Sequence, residues 1–306
     1  MIILLMALLF ASSSVALAAP PETKSEPVTD TIHGSTVVDE YRWLEGDNSN
    51  PANMGLVNDE VASWTDDQNR YTRSILDNLP GRATLESRLR QLMEVPSIGS
   101  PSAYGTRYFY SRREGSQPQA VHCVREGLNG DERVLLDPLT VDASGLTTIS
   151  WTQPNEDGSL MAFGMYTSGD ENSTLYVMDV ATGEWFADEI PGKVNFSGWL
   201  PDSSGFFYKR LEDTDDAYSS VMKLHKLGTH HRQDQQLFRQ KDIEFFYGDQ
   251  NKTDAELEAL KTTYGPFGMP SKDSRWMTVG YWTGTAGLDL WVADLSEWFR
   301  TGELNL

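Results

Sequence analysis

Apolar positions change their period along this chain. Val57, Val61, Trp64, Tyr71 and Ile75 recur at three-, four- and seven-residue steps. That spacing predicts one face of a helix of about five turns. Asp59, Glu60, Asp66, Asp67 and Arg70 take its other face, and Leu79-Pro80-Gly81 marks the stop. A second amphipathic helix is expected around Leu85, Leu89 and Leu92, ending before Pro96. From about residue 97 the pattern shifts to short β-rich runs between turns of Gly, Asp, Asn and Ser.

Those runs repeat. Tyr108-Phe109-Tyr110, Met161-Ala162-Phe163, Phe206-Phe207-Tyr208 and Met277-Thr278-Val279 each open a unit. Partner strands begin at Val121, Leu175, Val221 and Leu290, offsets of 13, 14, 15 and 13 positions. Successive units start 53, 45 and 71 positions apart, the size of a four-stranded propeller blade. The repeat favours a propeller over a β-sandwich. The widest interval holds Thr253 to Lys261, rich in Ala, Leu and Glu and expected to form a helical turn or two. The fold class is therefore mainly β: a partial propeller of about four blades, preceded by a helical segment. Four units do not close a ring, so the chain is expected to be one part of a longer polypeptide, with the last blade lacking a strand.

The N-terminus carries a different signal. Residues 2–10 are uninterruptedly apolar, Ser12 to Ser14 follow, and Ala16-Leu17-Ala18 offers the small-x-small pattern of signal cleavage. No Lys or Arg precedes the run. Residues 1–19 are read as a signal peptide. The mature protein, beginning near Ala19 or Pro20, is expected to be exported, to the periplasm or beyond. Residues 20–30 read as a flexible leader to a helical segment spanning 20–96, with the propeller over 97–306.

Among the 306 residues, 25 Lys plus Arg face 45 Asp plus Glu, a net charge of −20. Such a field disfavours nucleic acid and, once the leader is cleaved, an anionic membrane. Cys123 is the sole cysteine, so neither an internal disulfide nor a multi-thiolate metal site is available. No HExxH, P-loop or G-x-G-x-x-G pattern occurs, and neither cofactor nor metal is expected. His230 and His231 are expected to point apart on a solvated loop. The acidic loop Glu212 to Asp216 lacks the Gly and terminal Glu of an EF-hand and reads as solvated. Asn172, Asn195 and Asn251 head sequons that matter only in a glycosylating host.

Three stretches resemble the prolyl oligopeptidase family of serine peptidases, in its N-terminal part. They are His33-Gly34 with Asp39 to Glu45; Gly105 to Gly115 continuing to Arg133 through Pro138; and Leu175 to Val180 with Trp199 to Asp202 and Gly205 to Tyr208. The resemblance implies a propeller over an α/β-hydrolase domain, hydrolysing short peptides, usually after proline, with the propeller excluding folded proteins. It places the nucleophile, acid and histidine in a C-terminal portion, a partner in cis. Consistent with that, no G-x-S-x-G elbow occurs in these residues. Ser197, Ser204 and Ser271 lack its flanking glycines, and His33 is expected to be structural. The chain alone is expected to be inactive, with no catalytic residue of its own. By resemblance, Phe196 in Lys193 to Ser197 is the candidate substrate-facing side chain; its alternative is an ordinary blade-packing aromatic. The competing reading of the whole is a non-catalytic propeller module that binds a peptide or protein partner.

Overall fold

The computed structural model describes residues 19–46, 57–248 and 250–306. The apolar run and cleavage motif of the expected signal peptide lie outside the described residues. The chain divides into two units, residues 1–93 and 94–306.

In the first unit, β1 (Val28–Ile32) and β2 (Ser35–Asp39) form an antiparallel hairpin. Its two-residue turn is His33-Gly34, with φ of +50° and +79°. Two left-handed residues match the twist of a hairpin turn, which gives the His-Gly pair a conformational role. Arg42 then ties the hairpin to the following turn by bonding Asp39 and Asp30. Helix α1 (Asp59–Leu76) starts at Asn58, whose side chain accepts the Val61 N–H at 2.9 Å. Val61, Trp64, Gln68, Tyr71 and Ile75 form its least exposed stripe, whereas Val57 precedes the helix and is exposed. Residues 20–27 are not a loose leader. Gln68 donates to the Pro21 carbonyl, Trp64 to Thr23 and Trp43 to the Lys24 carbonyl. Helix α2 (Arg82–Met93) forms as expected, but Leu85, Leu89 and Leu92 stay exposed.

The second unit is a run of antiparallel sheets in chain order. The first contains β3 (Ser97–Ile98), β4 (Ser102–Tyr104), β5 (Arg107–Arg113), β6 (Val121–Glu126) and β7 (Glu132–Leu136), and the short α3 (Pro138–Val141) follows. The second is β8 (Thr147–Pro154), β9 (Leu160–Thr167), β10 (Thr174–Asp179) and β11 (Trp185–Ile190). The third is β12 (Asn195–Trp199), β13 (Gly205–Leu211), β14 (Ser220–Lys226) and β15 (Gln235–Arg239). Helices α4 (Ile243–Tyr247) and α5 (Asp254–Leu260) precede a three-stranded sheet of β16 (Gly265–Pro270), β17 (Trp276–Trp282) and β18 (Leu288–Asp294), then α6 (Leu295–Thr301). The strand pairs expected from the repeat are present, but they are the second and third strands of blades 2 to 4 and the third and fourth of the five-stranded first sheet. The first strands are irregular or carry proline and glycine, which hides their period. Helix α5 is the expected insert.

Alternation explains why β9 and β13 read as apolar runs. Met161, Phe163 and Met165 pack toward blade 1, while Ala162 joins Phe206 and Tyr208 between blades 2 and 3. On β13 the intervening Phe207 turns toward blade 4, into a cluster with Met222, Met277, Val279 and Trp298. Successive side chains point to opposite faces, and both faces are covered. The turns after the first strands repeat one device. Asp157, Asp202 and Asp273 each accept the backbone N–H two residues on, at 2.8, 3.0 and 3.1 Å. The residue between is left-handed each time: Gly158, Ser203 and Ser274. Among the described residues no helix is long and apolar enough to cross a membrane.

Candidate functional site

The candidate Phe196 sits on β12, the first strand of blade 3, and is half-buried. Its ring lies 6.1, 5.5 and 5.4 Å from those of Trp151, Trp199 and Phe206. Trp151 comes from blade 2, so the ring takes part in the blade 2–blade 3 packing, and its remaining surface stays open.

Ser197, Ser204 and Ser271 are structural in their contacts. Ser204 donates to Asp202 at 2.7 Å and Ser271 to Asp273 at 2.6 Å, both inside the repeated turns. Ser197 lies against the Met222 sulfur. The carboxylates that Ser204 and Ser271 reach are the acceptors of their own turns and are held below their usual pKa range, so they are poor bases for activating a hydroxyl.

The most strongly polar constellation has no local signature in the sequence. His225 on β14 is fully buried between two carboxylates. Its Nε2 is 2.8 Å from Asp188 on β11 of blade 2, and its Nδ1 is 2.9 Å from Asp234 ahead of β15. Tyr208 donates to Asp234 at 2.7 Å, and the Gly228 N–H donates to Asp188 at 2.7 Å. Burial disfavours the imidazolium, but hydrogen bonds and charge from Asp188 and Asp234 outweigh it and push the pKa up to about 9. Burial raises the Asp188 pKa, while the bonds from His225 and Gly228 lower it further, leaving it below the ordinary carboxylate range. With both nitrogens committed and a proton held, His225 is not a general base. It is an interblade ion bridge. Nothing local set it apart from the other four histidines, because its partners lie 37 residues before and 9 after it.

His122 and Cys123 line a cavity of about 270 Å3 between blades 1 and 2, with Ser102, Tyr104, Thr152 and Met161. Burial lowers the His122 pKa and raises that of the Cys123 thiol, so both are neutral near pH 7. His230 and His231 do not point apart: their rings stack at 4.5 Å, and His230 Nδ1 accepts the Arg232 N–H. In the acidic loop, Glu212 pairs with Arg239 and Asp216 with Lys241. Among the described residues no group of three His, Cys, Asp or Glu side chains is placed to hold a metal.

At one end of the second unit, the turns after the first strands surround a cavity of about 460 Å3. Tyr104 and Gly105 come from blade 1, Glu156 from blade 2, Gly198 to Pro201 from blade 3, and Pro270 to Lys272 from blade 4. Glu156 and Lys272 meet at 2.7 Å across it. Close packing is built in: a side chain at Gly198 would place its Cβ 2.5 Å from Pro270. Blades 1 to 4 thus contribute to one concave surface.

Residues 20–257 match the family described as the prolyl oligopeptidase N-terminal beta-propeller domain. The chain is 28% identical over 288 residues to a prolyl endopeptidase of Elizabethkingia meningoseptica, covering 90% of this chain and 36% of that protein. It is 25% identical over 316 residues to prolyl oligopeptidase A of Amanita bisporigera, covering 90% of this chain and 38% of that one. A solved structure from a structural and mechanistic analysis of two prolyl endopeptidases superposes with a TM-score of 0.72 at 29% identity, over 90% of this chain and 38% of that one. The chain therefore spans little more than a third of the length of these relatives.

Proposed function

The chain belongs to the prolyl oligopeptidase N-terminal β-propeller family, and we propose that it serves an exported serine-type peptidase acting on short peptides, with the chemistry supplied by a C-terminal hydrolase portion in cis. One observation carries the reading. A match over residues 20–257 coincides with successive blades in register, in a sequence without G-x-S-x-G.

In this reading the propeller contributes no bond-making step. It restricts access, so that a flexible peptide passes and a folded domain does not. Phe196 supplies apolar surface toward the substrate, and its packing on Trp151, Trp199 and Phe206 holds the ring in place. Acyl transfer needs an activated hydroxyl, a base and an oxyanion hole, all assigned to the C-terminal portion.

A chromogenic prolyl peptide tests this. The 306-residue chain is expected to give no turnover, and a chain extended by the downstream reading frame is expected to give turnover blocked by a serine-reactive reagent. Phe196→Ala in the extended chain should raise KM more than it lowers kcat. Serine-reagent-sensitive turnover by the 306-residue chain, or a downstream frame without G-x-S-x-G, overturns the proposal. Export is tested by N-terminal sequencing of the protein recovered outside the cytoplasm, expected to start near Ala19 or Pro20.

A further inference from the structure

The cavity at the turn end of the blades continues outward. Leu200 and Pro201 line it and also line a second, open groove of about 580 Å3 between blades 3 and 4. That groove adds Asp202, Asp273, Ser274, Arg275, Ser296 and Phe299. Together the two make a continuous trough of the size that holds a small ligand or a peptide segment.

Its chemistry is unusual for a surface that only needs to be soluble. Tyr104, Trp199, Leu200, Pro201, Pro270 and Phe299 supply apolar wall, most of it aromatic or prolyl, among charged and small turn residues. The Trp199 indole N–H is already committed to the Gln153 carbonyl at 3.0 Å, so the ring offers a ligand apolar surface. Phe299 is 49% exposed.

Ser274 is the second, independent sign. It is 5% exposed, its hydroxyl is buried without a partner, and its backbone is left-handed at φ +52°. The equivalent turns show what folding alone requires. Blade 2 places Gly158 there, and blade 3 places Ser203, whose hydroxyl accepts from Asn155 at 2.9 Å. Only in blade 4 of these three is the position occupied by a hydroxyl that the fold leaves unused. A buried polar group without a partner opposes folding, so an external partner is the natural complement.

Charge selects the partner. Asp202 and Asp273 both line the groove. Hydrogen bonds from Ser204 to Asp202 and from Ser271 to Asp273 hold both carboxylates below their usual pKa range, so they stay ionised. The whole chain carries −20. Arg275 and Lys272 offset the acids only in part, since Glu156 also lines the trough.

We propose that this trough binds an extended peptide segment: apolar or prolyl side chains lie on Trp199, Leu200, Pro201 and Phe299, the main chain bonds the Ser274 hydroxyl, and a basic side chain sits against Asp202 and Asp273. Binding requires the Ser274 side chain to turn its buried hydroxyl toward the groove that the residue already lines. Aromatic-lined grooves favour extended, proline-containing segments because such segments lose little entropy on binding. The ligand class rests on the peptide reading above, but the site lies wholly on this chain and is tested without the hydrolase portion.

The probe is a fluorescein-labelled heptapeptide, Lys-Pro-Leu-Pro-Phe-Pro-Leu, titrated with the 306-residue chain and followed by anisotropy. Saturable binding is expected, weakened about ten-fold by Phe299→Ala and about three-fold or more by Ser274→Ala. Replacing the probe lysine by glutamate should weaken binding, and the double variant Asp202→Asn, Asp273→Asn should erase that preference. Ser274→Ala should also raise Tm, because it removes an unpartnered buried hydroxyl; a raised Tm with unchanged affinity overturns the assignment of that hydroxyl. No saturation by about 1 mM chain, or binding indifferent to Phe299→Ala and to probe charge, overturns the site. Turnover by the extended chain alongside such a failure leaves the peptidase reading intact.

Discussion

His225 offers the sharpest test of how the blades are joined. Its imidazole is sealed from solvent between Asp188 and Asp234, whose side chains are 2% and 1% exposed. Gly228, Tyr208 and the Phe206 ring complete the enclosure. Replacing His225 by Asn leaves two buried carboxylates without their cation. Removing one partner from a buried ion pair costs roughly 3–5 kcal/mol, and His225→Asn should fall in that range at pH 6. The native protein should also show a pH signature. A histidine whose pKa rises from 6.5 unfolded to about 9 folded stabilises fully below 6.5 and loses that contribution as pH climbs through 9. The shift corresponds to about 3 kcal/mol. Asp188 acts in the opposite sense: its lowered pKa stabilises above its ordinary value of 3.8 and ceases to do so as pH falls below it. The bridge is therefore strongest between about pH 4 and 6.5. Urea unfolding followed by tryptophan fluorescence, at half-unit steps from pH 5 to 9.5, measures this directly. Wild type should lose stability from pH 6.5 upward, and His225→Asn should be flat between about pH 6.5 and 8.5, below the range where the buried Cys123 thiol adds its own loss. A wild-type profile without the loss, or a variant that keeps it, refutes the charged bridge.

Other expectations follow from packing. Phe196→Ala should lower stability by about 2 kcal/mol, less than a fully buried ring costs, read from the urea midpoint; no change would mean the ring is not held by its three aromatic neighbours. Gly198→Ala forces a Cβ against Pro270 and should cost about 1–3 kcal/mol, and a Tm equal to wild type would show that blades 3 and 4 do not pack this closely. Cys123 is fully buried with its thiol pKa raised, so Ellman's reagent should label no thiol in native buffer and one in denaturant; prompt native labelling refutes its burial.

Blade contacts are made by side chains whose strands are local but whose partners are not. Each blade's strands are joined by short turns, so hairpin spacing and apolar runs betray the second and third strands of blades 2 to 4 in the sequence. Helices α1 and α5 are legible for a similar reason, since period and capping are local properties. First strands such as β12, with Asn195, Ser197 and Gly198, and β16, with Pro266 and Pro270, lose the alternating pattern. Their small and prolyl residues serve close approach between blades, visible where Gly198 meets Pro270.

The amino-acid pattern by itself determined the mainly β repeat, the helical lead and the absence of a nucleophile elbow, because each is written in neighbouring residues. Phe196 could be singled out by resemblance, yet only its contacts reveal how the ring is held. Tertiary structure alone decided which histidine is held between two carboxylates, since Asp188 and Asp234 reach His225 from another blade and across a turn. It also decided that Leu85, Leu89 and Leu92 remain exposed and that residues 20–27 are pinned. The trough from Tyr104 to Phe299 and the unused hydroxyl of Ser274 are likewise invisible in one dimension. Turns more than 150 residues apart in the chain converge there because successive blades stack their equivalent ends together.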